Sequence, residues 1–150
     1  MPSKVCEIRK MVKIVKDSTL KKFSHNQGQN WFHLVFTPKC RYPVFQWKVI
    51  KDLCETAILE VCLKHNIDLF AYEVMEDHVH LFVTCPPSYS INKLMKILKG
   101  GTSYYIRSNY KSLRKYDHLW SRGATYRSVS NVTADTVHFY ITNNNVWSKK

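Results

Sequence analysis

Two runs of strand-forming residues, Asp68 to Met75 and His78 to Cys85, are separated only by Glu76-Asp77. Two residues suffice for a tight antiparallel reversal, so the runs are expected to form a β-hairpin. Pro86-Pro87 ends the second run, because proline has no N–H to offer a sheet ladder. A hairpin alone is marginal in water. It needs further strands beside it and helices across one face, and the rest of the chain has to supply them.

The flanking sequence does so. Asn30 to Thr37, with Trp31, Phe32, Leu34, Val35 and Phe36, reads as a first strand stopped by Pro38. Between Gln46 and Asn66, Val49, Ile50, Leu53, Ala57, Ile58, Val61 and Cys62 recur at three- and four-residue spacings, one face of an amphipathic helix. Ser90 is a suitable N-cap for a second helix whose stripe Ile91, Leu94, Met95, Ile97 and Leu98 runs towards Arg107. Gly100-Gly101 interrupts it. Each glycine costs about 1 kcal/mol in a helix interior, so the pair points to a close approach by backbone or ligand, or to a break. Thr125 to Ser130 alternates like a fourth strand, and a last helix is expected from Thr133, a good N-cap.

Strand, helix, strand, strand, helix, strand is the order of a split βαβ unit. The expected class is therefore α+β: a ferredoxin-like sandwich with an antiparallel sheet, helices on one face and an additional C-terminal helix. Residues 1–29 are expected to be a basic arm followed by a polar linker centred on Gly28, and residues 30–150 the domain. A length of 150 residues suits one domain with a real core.

The charge says what such a domain meets. Lys and Arg number 23 against 11 acidic residues, a net +12, so a polyanion is the first partner to consider. No apolar stretch approaches the roughly 20 residues of a spanning helix and the N-terminus lacks a signal-peptide apolar region, so a cytoplasmic protein without membrane contact is expected. The five cysteines are an odd count with no Cys-x-x-Cys pair, which argues for reduced thiols over a disulfide framework or zinc ribbon. The loop after the first strand, with Lys39, Arg41 and Tyr42, combines charge with an aromatic ring on which an unpaired base could stack. Lys96, Lys99 and Arg107 lie together on the second helix and could face phosphates or simply solvent.

One pattern carries chemistry. His78 and His80 are separated by one residue, and on an extended chain such side chains share a face, roughly 6 to 7 Å apart. Two imidazoles so placed form half of a divalent-metal site, although a bare His-x-His is more often just a pair of ordinary histidines. On the last helix Thr136, Tyr140 and Asn144 are four residues apart and share a face, which puts a tyrosine one turn from a side-chain amide. Tyr104, Tyr105 and Tyr110 compete for any nucleophile role.

In series these segments resemble a known family. Trp31 to Phe36 with Pro38-Lys39, then Val74-Met75-Glu76-Asp77-His78-Val79-His80-Leu81-Phe82-Val83 with Pro86-Pro87, then Lys99-Gly100, Leu119-Trp120-Ser121 and Val137-His138-Phe139-Tyr140-Ile141 are similar to the single-tyrosine HUH transposases. These are encoded by small bacterial and archaeal insertion sequences that move as single-stranded DNA. The resemblance implies His78 and His80 as metal ligands, Tyr140 as nucleophile and Asn144 as third ligand, where the family usually has glutamine. It further implies Mg²⁺ or Mn²⁺, cleavage and rejoining of hairpin-bearing single-stranded ends through a 5′-phosphotyrosine, and a homodimer acting on the nucleoid of a prokaryotic cytoplasm. Two alternatives remain at this level: a domesticated or repeat-associated nickase with the same chemistry, and a non-catalytic ferredoxin-like module that binds single strands.

Overall fold

The computed structural model describes residues 21–22 and 25–129, together with Asp135, His138 and Phe139, which are helical. Its central element is a four-stranded sheet made of β3 (Trp31–Phe36), β4 (Leu69–Val74), β5 (Val79–Thr84) and β6 (Thr125–Val129). The spatial order is β4-β5-β3-β6, and every neighbouring pair is antiparallel. Helices α1 (Lys48–Lys64) and α2 (Ile91–Asn109) pack together over one face. This is the expected ferredoxin-like order, with β5 inserted between β3 and β4.

The core follows from alternation. Leu34 and Phe36 of β3 and Val79, Leu81 and Val83 of β5 point at the helices, where Cys54, Ala57, Ile58, Leu94, Leu98 and Ile106 receive them. Each fully buried Leu, Ile or Phe side chain contributes about 1.5–3 kcal/mol relative to exposure. In α2 the Ser90 side chain accepts a hydrogen bond from the Lys93 amide at 3.1 Å, the expected N-cap. α1 ends at Lys64 with His65 as its C-cap, and Asn66 follows in the left-handed region with φ 53°, a conformation asparagine tolerates better than most residues.

α2 does not break at its glycines. A β-carbon on Gly101 would lie 2.7 Å from Cγ2 of Val61, so the glycine lets α2 approach α1, whereas one on Gly100 would meet nothing within 4 Å. Close backbone approach therefore holds for Gly101, and the break holds for neither glycine.

The end of β3 is extended by a second partner. Lys39 N–H donates to the Leu119 carbonyl at 2.9 Å and Ser121 N–H to the Thr37 carbonyl at 2.8 Å. Trp120 sits between, packed on Phe36 and Phe45, with its indole N–H donating to Thr102 Oγ1 at 2.9 Å. Within residues 1–29, expected to be only arm and linker, β1 (Lys21–Lys22) at the end of the arm pairs antiparallel with β2 (Gln27–Gly28) in the linker. β5 begins at Val79, so His78 is the last residue of the corner and not the first of the strand. Among the described residues no helix is long and apolar enough to cross a membrane. Residues 1–20 and the greater part of the expected last helix, with Thr133, lie outside the described residues.

Candidate active site

The same alternation that sends Leu34 and Leu81 to the helices sends Trp31, His33, His80 and Phe82 to the opposite face of the sheet. There His80 is a fully buried polar ring. Its Nδ1 lies 2.9 Å from Nε2 of His33, also buried, so one proton is shared between them as a hydrogen bond. The His33 ring lies nearly parallel to both neighbours, with centroids 4.6 Å from Phe82 and 5.2 Å from His80. Burial, with the positive charge of Arg127 adding to it, holds His33 down to about 4. Burial, followed by the charges of His78 and His33, takes His80 down to about 3. Both imidazoles are therefore neutral at pH 7 and retain a lone pair, the form in which histidine binds a metal.

His78 stands at the edge of this face. Its ring is almost perpendicular to that of His80, at 79°, with centroids 4.9 Å apart. Its Nδ1 lies 2.7 Å from Asp77 Oδ1, and the other oxygen of Asp77 accepts from an Arg41 guanidinium nitrogen at 3.1 Å. Burial would raise the Asp77 carboxyl, but the hydrogen bond and charge of His78, then those of Arg41, outweigh it and hold it below its ordinary value. Asp77 is thus a carboxylate clamped between a guanidinium and an imidazole. The backbone reaches this arrangement through two successive left-handed residues, Cys40 at φ 59° and Arg41 at φ 51°. Such positions cost about 1–3 kcal/mol each in non-glycine residues and persist where surrounding contacts over-determine them.

Each histidine is consequently held through Nδ1, by His33 or by Asp77, an orientation common among metal-binding imidazoles. This donor chemistry fits a divalent cation. Among the described residues no three His, Cys, Asp or Glu side chains form a set that could hold one. Tyr140 and Asn144, expected as nucleophile and third ligand, lie outside the described residues.

The expected DNA-contacting residues separate into two groups. Arg41 is joined to the histidines through Asp77, whereas Lys39 and Tyr42 line a separate cleft of about 540 Å³ with Trp47, Tyr110 and Lys115. Tyr42 stacks on Trp47, ring centroids 6.2 Å apart, and both rings are well exposed. Lys96, Lys99 and Arg107 belong to α2 and so lie behind the sheet from His80. Lys96 is exposed, but the Lys99 ammonium donates to the carbonyls of Ser121 and Gly123 at 2.9 and 2.7 Å and fastens that segment to the helix. Tyr104 and Tyr105 are on α2 as well, which removes them from the histidine face.

Four residues of this region were not singled out by sequence. His33, Asp77, Glu73 and Arg127 all neighbour the histidine pair: Glu73 is the cross-strand partner of His80 and Arg127 that of His33. The available signal was alternation within Trp31–Phe36, which places His33 on the face away from Phe32 and Leu34.

Comparison with known proteins places this fold. The family model described as IS200-like transposase matches residues 26–144. The transposase of insertion sequence IS200 from Salmonella typhimurium is 27% identical over 117 residues, covering 76% of each chain. The ISDra2 transposase TnpA from Deinococcus radiodurans is 26% identical over 113 residues, covering 73% of this chain and 80% of that one. Among solved structures, a candidate transposase from Deinococcus radiodurans superposes with a TM-score of 0.66 at 27% identity, over 82% of this chain and 96% of that one. A REP-associated tyrosine transposase bound to a REP hairpin superposes with a TM-score of 0.54 at 17% identity, over 87% and 74%. The sheet order and the extent of the family match together lead to one conclusion: the chain belongs to the family of IS200-like transposases.

Proposed function

We propose that this transposase binds hairpin-bearing single-stranded DNA ends and cleaves and rejoins them through Tyr140, with Mg²⁺ or Mn²⁺ held by His78 and His80. The observation that carries the reading is the pair of imidazoles whose Nδ1 atoms are both engaged by protein groups, His33 and Asp77. A divalent cation in such a site supplies Lewis-acid polarisation of a phosphate oxygen and a template for alignment. The net charge of +12 supports a polyanionic partner, and the fold is shared with a relative whose structure holds a REP hairpin.

The covalent step balances without an external energy source. The Tyr140 oxygen forms a bond to phosphorus as the bond from phosphorus to the 3′ oxygen breaks. The tyrosine proton is lost, the departing oxygen gains one, and a 5′-phosphotyrosine and a free 3′-OH result. Attack by a 3′-OH on the phosphotyrosine reverses the exchange and joins a new pair of ends. Asn144, four residues after Tyr140 in sequence, would offer an amide oxygen as third ligand. Lys39 and Tyr42 in their cleft would take a phosphate and an unpaired base, while Arg41 serves first to hold Asp77.

Cleavage of a labelled single-stranded hairpin substrate tests the reading. His78→Ala and Tyr140→Phe should each lose cleavage by at least about 10²-fold while hairpin binding is retained. Undiminished cleavage in EDTA removes the metal from the proposal, and a covalent adduct persisting in Tyr140→Phe removes the nucleophile. Asn144→Ala should raise the metal concentration for half-maximal cleavage, with Asn144→Gln tolerated. If both titrate like the parent, the third ligand lies elsewhere. We further propose a homodimer in which the tyrosine of one subunit serves the histidines of the other. Mixing Tyr140→Phe with His78→Ala/His80→Ala subunits should then restore cleavage, and a verified heterodimer without activity rejects that arrangement.

A further inference from the structure

We infer that His33 is a positioning residue for the histidine site: its Nε2 accepts the Nδ1 proton of His80 and so holds His80 in the tautomer that presents Nε2 to a divalent cation. The inference rests on the reading of His78 and His80 as metal ligands proposed above.

Only one proton lies between the two rings, and it has two arrangements. If His33 Nε2–H donates to His80 Nδ1, a neutral His80 must carry its proton on Nε2, where it blocks coordination. If His80 Nδ1–H donates to His33 Nε2, Nε2 of His80 carries a lone pair in place of a proton. The hydrogen bond of 2.9 Å is short enough, and the pair buried enough, that an unmatched tautomer would place two lone pairs or two N–H groups against each other out of water.

The geometry is also rigidly supported. β3 and β5 pair His33 with Phe82 and Val35 with His80, so the backbones carrying the two rings are fixed by the same ladder. Phe82 stacks on His33 at 16° and keeps its ring plane parallel to that of His80. With Nε2 accepting from His80, a neutral His33 carries its own proton on Nδ1 and has no lone pair left to offer the ion. The result mirrors the other half of the site, where Asp77 engages Nδ1 of His78. One ligand is oriented by a charged carboxylate at the edge of the sheet and the other by a neutral imidazole within it.

The test uses the full chain and two substitutions. His33→Phe keeps the stack on Phe82 and removes the acceptor, whereas His33→Gln places an amide oxygen near the position of Nε2. Long-range ¹H–¹⁵N spectra of the metal-free protein should show His80 protonated on Nδ1 in the parent and in His33→Gln, and shifted to Nε2 in His33→Phe. Direct titration with Mn²⁺ should show half-saturation about 10- to 100-fold higher in His33→Phe, the usual effect of losing such an outer partner, and near the parent value in His33→Gln. A parent spectrum with His80 protonated on Nε2, or Mn²⁺ binding by His33→Phe equal to the parent, overturns the inference. Mn²⁺ binding unaffected by His78→Ala/His80→Ala would instead overturn the ligand reading, and the tautomer shift in the metal-free protein distinguishes the two failures.

Discussion

His80 has no exposure to solvent and His78 is only partly covered, so equivalent substitutions at the two positions have different consequences. His80→Ala removes a buried ring and its hydrogen bond to His33, a change expected to cost about 1–3 kcal/mol and to lower Tm by several degrees. His78→Ala leaves Asp77 paired with Arg41 and should shift Tm far less. Thermal denaturation of the two metal-free variants checks this, and it makes His78→Ala the cleaner probe of cleavage. The cysteines differ similarly. Burial, with some help from Glu55, pushes the Cys54 thiol far above its ordinary value, and burial with Asp68 pushes Cys62 up to about 12, whereas Cys40 is exposed. Iodoacetamide at pH 8 should therefore modify Cys40 in the native protein and reach Cys54 and Cys62 only after denaturation, as read by peptide mass spectrometry.

The two helices and four strands were legible from local patterns, because each signal is contained in its own segment. Three-and-four spacing marked α1, Ser90 marked the start of α2, and Glu76-Asp77 marked the hairpin. The role of His33 was not legible: Trp31 to Phe36 is apolar on both sides, and the ring that His33 meets is 47 residues away. Nor could composition say that Lys99 would spend its charge on two carbonyls of a neighbouring loop. The glycine pair shows the same limit, since adjacent positions have unlike surroundings. Gly100→Ala enters open space and should stabilise by about 0.5–1 kcal/mol through helix propensity. Gly101→Ala must displace the stiff, buried Val61 and should cost about 1–3 kcal/mol despite the same propensity gain. Opposite shifts in the urea midpoint are the expected outcome, and shifts of the same sign would refute the packing account.

For the whole molecule the dominant quantity is the excess of 12 positive charges. If hairpin binding proceeds by displacement of condensed counterions from about six phosphates, affinity should fall by about 10³ between roughly 50 and 200 mM salt. Fluorescence anisotropy across that range measures the slope, and a flat response would mean that the charge serves another purpose. The topology has a separate consequence in time. β3, near the start of the described chain, is central in the sheet, but its two partners are β5 and β6. Trp31 pairs with Thr84 on one side and Val129 on the other, so neither edge can be satisfied by nearby sequence. During synthesis from the N-terminus, β3 must wait for about 50 residues before its first ladder closes and about 100 before its second. Loop closure of that length is entropically costly and slows folding relative to helical proteins of similar size. Until β6 arrives, the nascent chain exposes an open β3 edge beside an already assembled histidine pair. Premature association of two such chains along that edge is the misfolding hazard that this strand order creates.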